Sequence, residues 1–265
     1  MLRLAAAAVY AFTLRHLRMK AAMASWGLSD AFWMLIFMLA ALAFTSKGEW
    51  PLLVPVIYWS IVAWSLMSEP TWNIGEWART YIVLGLFDEN ELAGMSHRLF
   101  LAARIIPSLA VSVMAASAAL AILYSATGVN PLRAINPLLL AASLAAILAI
   151  STLYSLTLAW IGLTLRIPVP LLDVMNIFFF VVGGVAVDLS SMPEPMRIVA
   201  LATPYSHPAE LMRYAVSGDP PYLGLTGEAA ATVAFIVLLA ALESLAYRVA
   251  LVRARRWGIK GLGFT

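Results

Sequence analysis

Long apolar runs dominate the chain, and polar residues are concentrated in the segments between them. Six runs have roughly the 20 residues that a helix needs to cross a bilayer core of about 30 Å. The pattern therefore predicts an all-α polytopic membrane protein whose six transmembrane helices form one domain over residues 1–265. The six runs lie at about 26–45, 51–72, 100–124, 138–163, 169–187 and 229–251.

Composition supports this interpretation. Of the 265 residues 63% are apolar and 12% are charged, whereas soluble domains have about 45–50% and 25%. Cysteine is absent, which excludes disulfides, thiolate metal sites and cysteine nucleophiles. Glutamine is absent too; depletion of thermolabile residues is typical of a thermophile, although chance in a small apolar chain explains it as well.

The first 25 residues differ from the spans because basic residues follow a short apolar stretch. These charges would resist translocation, so the segment does not behave as a secretory signal. We expect an interfacial helix at about residues 2–22, lying on the membrane surface.

Lysine and arginine predict the orientation, because cytoplasmic loops carry an excess of them. With the N-terminus inside, 13 basic residues are cytoplasmic and four are external. We therefore expect a multi-pass protein of the cell membrane with both termini in the cytoplasm. The internal set is Arg3, Arg15, Arg18, Lys20, Arg79, Arg98, Arg104, Arg166, Arg248, Arg253, Arg255, Arg256 and Lys260, and the external set is Lys47, Arg133, Arg197 and Arg213.

The long cytoplasmic loop, residues 73–99, carries an acidic cluster after an apolar stretch. Asp88 is expected to cap a short helix that starts near Glu89, since carboxylates stabilise the positive end of a helix. Such a helix suits docking into a groove of another protein, but an ordinary solvated loop helix explains the pattern equally well. The residues expected to make that contact are Asp88, Glu89, Asn90, Glu91 and Leu92.

The long external segment, residues 188–227, contains two apolar helices expected at about 194–203 and 209–217. Each is too short to span, so together they dip into the membrane and return, or lie at its interface. Irregular backbone at membrane depth needs protein or a cavity around it. We expect a re-entrant hairpin that closes the outer end of a pathway; a passive amphipathic cap is the alternative. The gate residues would be Pro193, Pro204 and Pro208, which remove amide donors, with Phe178, Phe179 and Phe180 nearby.

A few ionisable residues lie in or near the spans, where such residues are functional candidates. Asp30, Glu69, Arg104 and Asp173 lie near cytoplasmic ends and are expected to be structural. Glu243 is deeper, and an ion pair with an arginine such as Arg104 or Arg248 is preferred over a proton relay.

The order of these parts resembles the membrane subunit of a type-2 ABC exporter. Such permeases have an N-terminal interfacial helix, six spans, a coupling helix between spans two and three, and re-entrant helices before span six. Residues 79–91 occupy the place of the coupling segment, with Thr80 and the leucines matching. Pro193, Pro195, the run 203–208 and Arg213 match the external segment.

The resemblance implies a permease that is not itself an enzyme. It would form an export pathway as a homodimer or heterodimer, driven by two separate cytoplasmic ATPase subunits that hold ATP and Mg. Because spans two and five line the route in such exporters, Trp59, Trp64, Met67 and Asn176 are pathway candidates. Interfacial anchoring by tryptophan and an interhelical hydrogen bond from Asn176 are the alternatives.

Other chemistries lack their motifs. No lysine follows glycine in a phosphate-binding loop, and the histidines, His16, His97 and His207, have no metal-ligand spacing. We therefore expect no cofactor in this chain. We also expect no nucleic-acid partner, because the basic residues are distributed according to the predicted membrane topology. An ATP-independent carrier or channel remains the alternative, disfavoured because the hairpin before span six has no counterpart before span three. A membrane-embedded enzyme would need convergent polar residues, and those present are scattered.

Overall fold

The computed structural model describes residues 2–165 and 169–257, and the regular elements in these ranges are all helical. Residues 166–168, between the fourth and fifth predicted spans, and residues 258–265 lie outside the described residues. Five helices are long and apolar enough to cross a membrane, which confirms the all-α membrane class. They are Ala24–Ala43, Trp50–Gly75, His97–Thr127, Pro137–Thr164 and Gly224–Arg256.

Twelve α-helices are described in these two ranges. The helix is interrupted at Met19, so residues 20–22 belong to the first long helix rather than to the predicted interfacial one. In order the helices are α1 (Leu2–Arg18), α2 (Lys20–Ala43), α3 (Trp50–Pro70), α4 (Trp77–Val83), α5 (Leu86–Leu92), α6 (His97–Ala102), α7 (Ile105–Thr127), α8 (Pro137–Leu165), α9 (Val169–Val181), α10 (Glu194–Leu201), α11 (Ser206–Ser217) and α12 (Gly224–Trp257).

A π-helical segment, Thr71–Glu76, joins α3 to α4, so helix continues from Trp50 to Val83. The predicted loop therefore starts later than residue 73. Pro70 at the end of α3 has no amide hydrogen, which interrupts the regular hydrogen-bond ladder. Thr71 Oγ1 donates to the Met67 carbonyl at 3.0 Å. The wider π turn changes the direction of the side chains that follow it.

The predicted fifth span is where the fold differs most from expectation. Its helix, α9, ends at Val181 instead of continuing to residue 187. Thirteen residues rise about 20 Å, less than the thickness of the hydrocarbon core. Gly183 and Gly184 follow in a turn, and Gly184 has φ +80°, which favours glycine.

Helix α8 is the centre of the bundle and is about 43 Å long. It packs against α3, α11 and α12, while α2 packs against α7. The largest buried cluster lies between these helices. Its fully buried members include Met34, Met38, Ala63, Met67, Ala119, Ile147, Ile150 and Ala215.

Two groups of short helices lie at opposite ends of α8. We call α4, α5 and α6 the loop helices, and α10, α11 and the link between them the hairpin. At the start of α8, the amides of Ile135 and Asn136 donate to the Ala215 carbonyl of the hairpin at 2.8 and 2.9 Å. At its end, Trp160 and Leu163 share a buried cluster with the loop helices.

Helix α1 and the last turns of α12 lie at the loop-helix end. Phe12 of α1 packs against Trp77 and Phe100. Arg255 in the last turn of α12 donates to Glu91 of α5 at 2.8 Å. Both ends of the described chain therefore lie on one side of the bundle.

Candidate functional site

Helix α5 occupies the place of the predicted docking helix, but it begins earlier than expected. It starts at Leu86, after Gly85 in a left-handed conformation with φ +72°, and not near Glu89. The predicted cap is wrong, since Asp88 lies inside the first turn and Gly85 is the N-terminal flanking residue. Asp88 and Glu89 still lie close to the positive end of the helix.

A buried chain of hydrogen bonds holds α5 to its neighbours. Asn90 Nδ2 donates to the Tyr81 hydroxyl at 2.8 Å, and that hydroxyl lies 2.6 Å from His97 Nδ1. With Tyr81 donating to Nδ1, His97 Nε2–H is free to donate to Glu91 Oε2 at 3.0 Å. Burial raises the pKa of Tyr81, so its hydroxyl keeps the proton that it donates.

Glu91 also joins α5 to α12. Its second oxygen accepts from Arg255 at 2.8 Å. Hydrogen bonds from Arg255 and then His97 lower the pKa of Glu91, because both favour the charged carboxylate. Phe87 stacks on the His97 ring with centroids 4.0 Å apart.

The five predicted docking residues therefore lie on two faces of α5. Asn90 and Glu91 face the bundle and fix the helix there. Asp88 and Glu89 are exposed, and Leu92 is 88% exposed. The outer face, with Asp88, Glu89 and Leu92, is exposed and makes none of these contacts with the bundle.

Glu243 on α12 forms an ion pair with Arg98 of α6, at 3.0 Å from Nε. The expected partners, Arg104 and Arg248, are not the ones it uses. Trp160 Nε1 of α8 donates to the same carboxylate oxygen at 2.9 Å. The Arg98 guanidinium also lies over the Tyr247 ring at 4.2 Å. Glu243 is therefore a junction between the loop helices, α8 and α12.

At the other end of the bundle, Arg213 and Glu210 of α11 form a buried ion pair. Arg213 donates to the carbonyls of Gly184 and Val185 at 2.7 and 3.1 Å. Glu210 accepts from the amides of Leu189 and Tyr222. The pair thus satisfies backbone groups in the irregular segments on both sides of the hairpin.

A second buried pair joins the hairpin to α12. His207 Nδ1 lies 2.6 Å from Glu228 Oε2, and its Nε2 donates to the Leu201 carbonyl at 3.1 Å. The other Glu228 oxygen accepts from the Leu223 amide. Glu228 is 0% exposed, so α11 and the start of α12 are held together inside the protein.

The hairpin helices begin and end close to the predicted residues. Pro193 precedes α10, and Pro204 lies in the link after it. Pro208 does not precede α11 as expected, because it lies within the first turn of that helix. A proline is tolerated there because the first amides of a helix have no carbonyl partner inside it.

The three phenylalanines of the predicted gate have different neighbours. Phe179 contacts Tyr205 of the hairpin, with ring centroids 5.3 Å apart. Phe180 contacts Trp64 of α3 at 5.9 Å, while Phe178 contacts Phe179. The predicted gate and pathway sets therefore meet at the contact between Phe180 and Trp64.

The four predicted pathway residues do not share one surface in this conformation. Met67 is fully buried in the main cluster. Asn176 is 4% exposed, and its Nδ2 has no hydrogen-bond partner among the described residues. Trp59 and Trp64 are half-buried beside that cluster.

Sequence reasoning missed the residues that stabilise each end of the bundle. They are Tyr81 and His97 at the loop helices, and Glu210, His207 and Glu228 at the hairpin. Tyr81 and His97 are 16 positions apart, and His207 and Glu228 are 21 apart, so no local spacing connects them. The available signal was Glu228 itself, a carboxylate beside the last apolar run. In the part of the chain that the structure describes, no three His, Asp or Glu side chains are grouped as metal ligands.

Comparison with known proteins identifies the family. No curated protein matches the chain. The family model for the ABC-2 type transporter matches residues 78–216, which is more than half of the chain. The matched region extends from α4 to α11, so it includes both the loop helices and the hairpin. The chain therefore belongs to the ABC-2 type transporter family and is a membrane component of such a transporter.

Proposed function

We propose that this chain is the permease subunit of an ATP-driven exporter. Two copies, or one copy and a paralogue, would form the pathway, and two cytoplasmic ATPase subunits would bind ATP and Mg. The proposal rests mainly on α5. Its outer face offers Asp88, Glu89 and Leu92 to a partner, while Asn90 and Glu91 tie its inner face to the bundle. A force applied to α5 would therefore reach α12.

The basic residues supply the proposed orientation, with the loop helices and both termini in the cytoplasm. The chain would then cross the membrane six times, α9 with the turn after it making the fifth crossing. The hairpin would be re-entrant at the external surface, where its buried ion pairs satisfy backbone at membrane depth. Cargo would leave past Phe179 and Tyr205, which link α9 to the hairpin.

Affinity purification from the native membrane is the first test. A copurifying subunit with a phosphate-binding loop is expected. A chain purified alone that conducts ions or exchanges solutes without ATP would instead favour the carrier or channel.

The docking face can be tested separately. The double variant Asp88→Lys/Glu89→Lys should weaken ATPase association by about tenfold or more. The reason is that reversing charges at a complementary surface reduces the free energy of binding by about 1.4 kcal/mol or more. Glu49→Lys/Asp219→Lys reverses two exposed carboxylates elsewhere on the surface and should leave association unchanged. Equal association of both variants would show that α5 is not the docking site.

A further inference from the structure

A cavity at the loop-helix end is not explained by the proposed docking or gating roles. It has a volume of about 480 Å³ and lies between the start of α2, the end of α3 with the π segment, α4 and the start of α7. Its walls combine three tryptophans, Trp26, Trp72 and Trp77, with two carboxylates, Asp30 and Glu69. An apolar cavity with a few convergent polar groups is the usual form of a small-molecule site.

The two carboxylates are neighbours across the helices. Glu69 of α3 and Asp30 of α2 both contribute to the wall of this cavity. Asn73 Nδ2 orients Glu69 by donating to its Oε2 at 2.8 Å. None of the ion pairs between side chains that the structure describes includes Asp30 or Glu69. Both are only half-buried, so they remain accessible to a ligand in the cavity.

Among the described side chains of the cavity wall, Arg104 is the arginine, and it is fixed in the protein. Arg104 Nε donates to the Asn73 carbonyl at 2.5 Å, and its guanidinium lies 3.8 Å from the centroid of Trp77. Arg104 is 5% exposed, whereas the carboxylates are partly open. The accessible part of the cavity therefore has an acidic and aromatic character.

We propose that this cavity binds an organic ammonium group. Such a cation gains attraction from the acidic side chains of Asp30 and Glu69 and from the indole ring of Trp72, a combination that an anion or a neutral sugar does not use. The π segment contributes because it carries Trp72 and Asn73 next to Glu69. The inference goes beyond the proposed transport role, and its test needs neither the ATPase nor a transport assay.

The test is binding to the purified chain in nanodiscs of phosphatidylglycerol, which has no ammonium group. Benzyltrimethylammonium should bind saturably, while its uncharged isostere neopentylbenzene should not. Asp30→Asn and Glu69→Gln should each weaken binding by about tenfold. Asp173→Asn, a carboxylate on α9 outside the cavity, is the matched control and should bind normally.

Two further binding measurements test the role of Trp72 and the source of the ammonium group. Trp72→Phe should retain binding and Trp72→Leu should lose it, with gel filtration confirming that both fold. Repeating the titration in phosphatidylethanolamine separates the sources: weaker probe binding assigns the cavity to a lipid ammonium headgroup, and unchanged binding assigns it to a soluble cation. Absence of saturable binding, or equal binding by the Asp30 and Glu69 variants, would overturn the proposal.

Discussion

At the level of single residues, the charged side chains of Glu210 and Arg213 supply hydrogen bonds to backbone groups near the hairpin that are not part of regular secondary structure. Irregular backbone has polar groups that need partners when they are buried. Here one carboxylate accepts from two amides, and one guanidinium donates to two carbonyls. Because the two side chains also pair with each other, neither charge is isolated.

This arrangement predicts an asymmetric effect of mutation. Arg213→Met should destabilise the protein by about 3–5 kcal/mol, because it leaves the Glu210 carboxylate buried without its counter-charge. Adding Glu210→Gln removes that charge, so the double variant should be more stable than Arg213→Met alone. Thermal unfolding in detergent measures both. A double variant that is less stable than the single one would show that the pair is not coupled in this way.

The sequence indicated a polar docking helix but could not say which of its residues face outward. A seven-residue helix has two faces, and the acidic cluster spans both. The inner face is the one that contacts Tyr81, His97 and Arg255. The positions of these residues relative to α5 depend on tertiary packing. Arg255 is 164 residues from Glu91, so no local pattern could have revealed their contact.

At the level of elements, glycine decides where α9 ends. The apolar run continues through Val182, Val185 and Val187, which is why hydropathy predicted a longer span. A hydropathy average depends only on the residue types and carries no information about the backbone conformation. The hairpin helices, in contrast, were predicted to within a few residues, because Pro193, Pro204 and Gly218 mark their limits in the sequence itself.

Gly183→Ala should therefore disturb the end of α9. A Cβ at this position would lie 2.3 Å from the Phe179 carbonyl oxygen, so the turn must shift and carry the adjacent Gly184 and Val185 carbonyls away from Arg213. We expect a loss of about 1–3 kcal/mol, measured by thermal unfolding. Gly162→Ala on α8 is the control, because a Cβ there meets nothing within 4 Å. Equal stability of both variants would contradict the assigned role.

At the level of the whole molecule, α12 connects the two ends of the bundle. Its 34 residues extend about 51 Å. Glu228 near its start binds His207 of the hairpin, whereas Glu243 and Arg255 pair with the loop helices. A single rigid helix thus joins the proposed docking face to the proposed outer gate.

A substitution of Glu243 should consequently reduce transport more than it reduces ATP hydrolysis. Glu243→Gln keeps an acceptor for Trp160 but removes the charge that pairs with Arg98, so motion of the loop helices would no longer reach α12 fully. In a reconstituted complex we expect transport per ATP to fall about tenfold, equivalent to about 1.4 kcal/mol, while ATPase association persists. Asp219→Asn, an exposed carboxylate after α11, should leave the ratio unchanged. If Glu243→Gln left transport per ATP unchanged, the ion pair between Glu243 and Arg98 would not be the contact that carries the motion of α6 to α12.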